Sequence, residues 1–135
     1  VVFDSDGLPA ELSLRVETTI KAELGLDIRV IGRTHADLDR IVADDPYPRA
    51  EPTQHHVVFL SGEPRTEGLA GLGQAVAGDE AFVVVDGAIH LFLPDGIGRT
   101  RLSQALIERR LGVVGTARNW RTVTELHRLS NPTLA

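Results

Sequence analysis

The sequence predicts an α+β fold, and three observations carry that prediction. Apolar residues at helical spacing alternate along the chain with short runs of β-branched and aromatic residues of strand length. Asp86-Gly87 separates two such runs, which is the strongest short-range signal for a β-hairpin. Residues 44–54 hold three prolines and no periodicity, and so mark a loop between two halves.

Taken in order, Val1–Phe3 reads as a strand that ends in the turn formers Asp4-Ser5-Asp6-Gly7. A helix follows, with Pro9 in its first turn, Leu12, Val16, Ile20 and Leu24 at helical spacing, and Gly25 placed to end it in a left-handed cap. Ile28–Ile31 reads as a strand. Thr34 with Asp37 three residues on has the spacing of a capping box and leads into Leu38, Ile41 and Val42. Beyond the loop, His56–Leu60 reads as a buried strand, and Pro64 opens a weaker helix over residues 65–76, diluted by Gly68, Gly71 and Gly73. Phe82–Val85 and Ala88–Leu93 form the hairpin. A helix over Arg101–Leu111 turns Leu102, Ala105 and Leu106 inward, with Thr100 as its expected N-cap. A last helix starts at Thr122, three residues before Glu125, and stops at Asn131-Pro132.

The β-α-β-β-α order from His56 onward is most of a ferredoxin-like (split βαβ) unit. The opening β-α-β fits the second half of another. The expected organisation is therefore two ferredoxin-like subdomains: residues 1–45 as a partial N-terminal one, 46–54 as linker, and 55–135 as a C-terminal one with an added helix. The chain has no Met and begins inside an apolar run, so the reading is of a fragment whose first strand lacks its upstream partners.

Composition narrows the function classes. The chain has 135 residues, 42% of them apolar, with a mean hydropathy of −0.02, which suits one globular domain or two small halves. Its longest apolar runs, Val57–Leu60 and Ala81–Val85, fall far short of the roughly 20 residues of a membrane span. No signal-peptide pattern opens it. The absence of Cys excludes disulfides, thiolate zinc sites and a cysteine nucleophile, and fits a cytoplasmic setting.

Charge is segregated along the chain. From Gly96 onward seven Arg face only Glu108 and Glu125, a balance of +5, whereas residues 1–95 carry −10. Such segregation calls for an acidic partner surface or an external anion. The turn Gly96-Ile97-Gly98-Arg99-Thr100-Arg101 entering a helix suits a phosphate or carboxylate, although it is no Walker loop because Leu93 and Arg99 break that pattern. Arg118, Asn119 and Trp120 would form a second wall, with the indole offering a stacking face. The competing reading is architectural: the Arg residues pair with the acidic half, and Trp120 anchors the last helix on the core.

Other constellations are weaker. Adjacent His55 and His56 point to opposite faces of a strand, one toward the core and one toward solvent, and cannot chelate one ion. His90 has no partner that the sequence defines. Gly71-Leu72-Gly73-Gln74-Ala75-Val76 lacks the last glycine of a dinucleotide fingerprint, and Ser61-Gly62 lacks a nucleophile elbow. Asp37, Asp39, Asp44 and Asp45 lack calcium-loop spacing. No metal ligand, cofactor or catalytic residue is assigned, so an enzyme acting on a small phosphorylated substrate is the third reading. The net charge of −5 keeps nonspecific nucleic-acid affinity weak.

His56-Val57-Val58-Phe59-Leu60, Leu93-Pro94-Asp95-Gly96-Ile97-Gly98-Arg99-Thr100-Arg101-Leu102, Leu111-Gly112 and Thr116-Ala117-Arg118-Asn119-Trp120-Arg121-Thr122-Val123 carry a resemblance. Together they resemble the bacterial domain of unknown function 1697 along essentially the whole chain, with Thr116–Trp120 as the most specific part. The resemblance implies two ferredoxin-like subdomains and an upstream quarter that this chain lacks. It implies no activity and no catalytic residue.

Overall fold

A computed structural model describes residues 2–85 and 87–131. Its centre is one four-stranded antiparallel sheet of β1 (His55–Leu60), β2 (Ala81–Val85), β3 (Ala88–Phe92) and β4 (Gly115–Asn119), in the order β2-β3-β1-β4. Between the strands run helices α3 (Thr66–Gly73) and α4 (Gln104–Leu111); α1 (Pro9–Leu24) and α2 (His35–Ala43) precede the sheet, and α5 (Trp120–Leu129) follows it.

β1 is buried along its whole length because both faces of the sheet are covered. Its even residues Val58 and Leu60 join Ile89, Leu91, Leu72, Leu102, Ile107 and Leu111 in a core beneath α3 and α4. Its odd residues Val57 and Phe59 meet Leu38 and Ile41 of α2, Ala88, and Val123 of α5 on the other side. The period-two alternation of one strand thus divides its side chains between two cores. α2 therefore belongs to the packing of the sheet. Arg33, just before α2, reinforces this by donating to the carbonyls of Leu60 (2.7 Å) and Gly87 (3.0 Å), with its guanidinium over the Phe59 ring.

Local signals explain several boundaries. Thr34 and Asp37 form the reciprocal capping box, and Gly25 ends α1 at φ 68°. The hairpin closes with Val85 opposite Ala88 and Gly87 at φ 74°; Asp86 lies outside the described residues.

Other expectations are corrected. Phe3 and Ile28–Ile31 join no strand, and Val1 lies outside the described residues. A strand persists only through its ladder, and these segments find none: Phe3 and Ile28 stay exposed. The helix expected from Arg101 starts at Gln104 with Ser103 as N-cap, because Leu102 must first bury completely. The last helix starts at Trp120, where Asn119 Oδ1 accepts from the Thr122 N–H, so Thr122 is inside the helix and Glu125 pairs with Arg128. Its predecessor Gly115–Asn119 is an unexpected strand, and it completes a β-α-β-β-α-β series. No helix among the described residues is long and apolar enough to cross a membrane.

Gly68 shows how tightly α3 and α4 meet. A Cβ there would lie far inside van der Waals contact of the Arg110 carbonyl oxygen. Backbone cannot step aside as a side-chain tip can, so Gly68→Ala is expected to cost about 2–3 kcal/mol of stability, read by urea unfolding. A loss below about 0.5 kcal/mol would contradict this helix contact.

Candidate functional site

The Arg-bearing segments occupy two elements at one end of the sheet. Register places Phe92, His55 and Asn119 at that end, through the pairs His55 with Phe92 and His56 with Asn119. After β3 the chain makes a glycine turn at Gly96 (φ 84°) and a short 3₁₀ turn, Ile97–Arg99. Thr100 Oγ1 then accepts from the Leu102 N–H at 3.0 Å, which holds the extended lead into α4. Gln104 Oε1 accepts from the Ala117 N–H at 3.1 Å and ties the start of α4 to β4. Arg99 and Arg101 are exposed on this loop. Arg118 is also exposed, and its guanidinium donates to the Ala117 carbonyl (2.7 Å). It sits opposite Val57, and therefore on the sheet face away from Ala117.

The six residues singled out by sequence thus divide. Thr100 shapes the turn, Asn119 caps α5, and Trp120 lays its indole flat on His55, ring centroids 4.1 Å apart and planes 10° apart. Arg99, Arg101 and Arg118 carry no carboxylate partner among the described residues. The pattern is wider than sequence suggested: of the seven Arg after Gly96, only Arg128 is ion-paired there. Two shallow surface grooves gather others. One, of about 420 Å³, is lined by Arg65, Arg109 and Arg110 with Glu67, between α3 and α4. The larger, of about 710 Å³, has Arg29 and Arg109 beside Glu108 and Ser61.

Under Trp120 lies an assembly that the sequence reading missed. His55 and His90 are both buried, with His55 Nε2 2.9 Å from His90 Nδ1, so one ring donates to the other. Tyr47 stands edge-on to His55. Asp45 Oδ1 is 3.6 Å from His55 Nδ1, beyond hydrogen-bond range. Burial first and then neighbouring His90 and His56 push the His55 imidazolium down to about 4, against the opposing pull of Asp45. His56 and His90 are also lowered by burial, while Tyr47 is raised by it. The expectation that one of His55 and His56 faces solvent is corrected, because both faces of β1 are covered. Chemically the pair is a neutral imidazole string sealed from solute. Its sequence signal was available only through register: β1 and β3 are neighbours, and His55 and His90 fall on one face.

The family model described as protein of unknown function (DUF1697) matches residues 1–90. The chain belongs to the DUF1697 family. The DUF1697 match reaches from the N-terminal helices through β1 to His90, so both histidines of the buried pair lie within it. Arg99–Trp120, which carried the most specific part of the resemblance, lies beyond that span. No curated protein and no solved structure matches this DUF1697 chain.

Proposed function

We propose that this DUF1697 protein is an anion-binding module of the bacterial cytoplasm that takes a phosphate-bearing ligand, a nucleotide or a short nucleic-acid segment. One observation carries the reading: six of the seven Arg beyond Gly96 lack a carboxylate partner among the described residues, although the first part of the chain carries −10. Guanidiniums without a carboxylate partner are suited to bidentate contact with phosphate oxygens. Arg99, Arg101 and Arg118 are the proposed contacts, with Thr100 setting the loop that presents the first two. We infer further that β1-α3-β2-β3-α4-β4 is a ferredoxin-like unit, supported by its element order and the antiparallel strand order β2-β3-β1-β4.

The architectural reading keeps support for Asn119 and Trp120, through the helix cap and the stack on His55. Calorimetry against ATP, pyrophosphate and a short single-stranded oligonucleotide at low and moderate salt tests the proposal. Binding that weakens roughly tenfold or more in Arg99→Ala/Arg118→Ala is expected, at about 1.5–3 kcal/mol for charge-assisted bonds. Loss only in Arg109→Ala/Arg110→Ala would move the site to the α3–α4 groove. No heat with any ligand would end the proposal.

A further inference from the structure

We infer a metal-binding site for a late first-row divalent cation of the Zn²⁺ kind, built by His35 and Asp39 of α2 and His127 of α5. His35 and Asp39 share α2, and helix packing brings the sequence-distant His127 of α5 to them. The Thr34 cap starts α2 at His35, and Asp39 follows one helical turn later on the same face. Leu38 and Ile41 of α2 and Val123 and Leu126 of α5 share one apolar cluster beneath them, which fixes the helix pair. One donor atom from each of His35, Asp39 and His127 then lies within 4.8 Å of the other two. The imidazoles stack with centroids 4.9 Å apart and planes 10° apart, and His127 Nε2 is 2.9 Å from Asp39 Oδ1. Tetrahedral zinc donors sit about 3.4 Å apart for bonds of about 2.0–2.1 Å, a spacing reached by small side-chain rotations. Asp39 is largely exposed and free to make them.

A second observation points to a metal rather than to a simple ion pair. Ser130 Oγ donates its one hydrogen to the His127 carbonyl at 3.0 Å. Toward His35 Nδ1, 2.9 Å away, the same oxygen can therefore only accept. His35 Nδ1 carries the proton, and the neutral ring keeps its lone pair on Nε2. Fixing a histidine tautomer through its second nitrogen is the usual support for a metal-ligating imidazole. Two imidazoles and one carboxylate leave at least one coordination position for water or a ligand. On binding, the ion takes the place of the hydrogen between His127 Nε2 and Asp39 Oδ1, and the neutral ring carries that hydrogen on Nδ1 instead, so the ligating imidazole stays neutral.

The test uses the full chain with Zn²⁺ alone, followed by calorimetry and by imidazole NMR. One ion per chain is expected, with the resonances of His35 and His127 moving while those of buried His55 and His90 stay fixed. His35→Gln, Asp39→Asn and His127→Gln should each weaken binding more than tenfold, and Ser130→Ala roughly tenfold, with helical circular dichroism retained. Uptake that is not saturable at one ion, or any of the three ligand variants binding like the parent, would overturn the assignment. Should a variant fail to fold, the parent NMR titration decides alone: unmoved His35 and His127 signals would refute the site.

Discussion

Trp120→Ala is expected to lower the unfolding free energy by about 3 kcal/mol, the cost of truncating a large aromatic packed on a core. The indole is the first residue of α5. It stacks on His55, lies 5.9 Å from the His90 ring, and packs against the cluster that joins α2 to the sheet. Truncation removes the ring contact, worth about 0.5–1.5 kcal/mol beyond area burial, and opens a path for water to the histidine pair. For a chain of this size the midpoint should fall by about 10 °C. Urea unfolding checks the value, with a shifted midpoint and an unchanged slope. A loss under about 1 kcal/mol would contradict an indole that anchors α5 on the core.

Stability should begin to fall with acid before the carboxylates titrate. His55 is held at about 4 in the folded chain against 6.5 when unfolded, mainly by desolvation. The unfolded state therefore binds protons that the native state refuses between those values. Stability is fully present above pH 6.5 and falls as pH drops toward 4. His55 alone accounts for about 3 kcal/mol over that window. His56 and His90, lowered by the same burial, act in the same direction. Denaturant unfolding at pH 7.5, 6.5, 5.5 and 4.5 should show a continuous decline. A flat profile would contradict the neutral, buried pair.

What the sequence revealed depended on whether a signal was local. β1 announced itself as an apolar run, the hairpin through Asp86-Gly87, and α2 through Thr34 and Asp37, because each is written within a few residues. β4 escaped because Gly115-Thr116-Ala117-Arg118-Asn119 has no apolar alternation. It is an edge strand, buried at Gly115, where a Cβ would press on Val58. Ile28–Ile31 has the composition of a strand and no ladder to join. The anion candidates were legible as charge segregation, yet only pairing geometry separated exposed Arg99, Arg101 and Arg118 from the structural Asn119 and Trp120. The histidine pair was hidden because strand register creates it, and the His35–Asp39–His127 group because helix packing brings His127 to the two residues of α2.

The anion-binding claim is tested most directly by the salt dependence of oligonucleotide binding. Three phosphate contacts from Arg99, Arg101 and Arg118 predict a slope of log affinity against log salt of about −2 for a single strand. Each Arg→Ala change should reduce that slope by about 0.7. A slope near zero, or one that Arg99→Ala and Arg118→Ala leave unchanged, would contradict it.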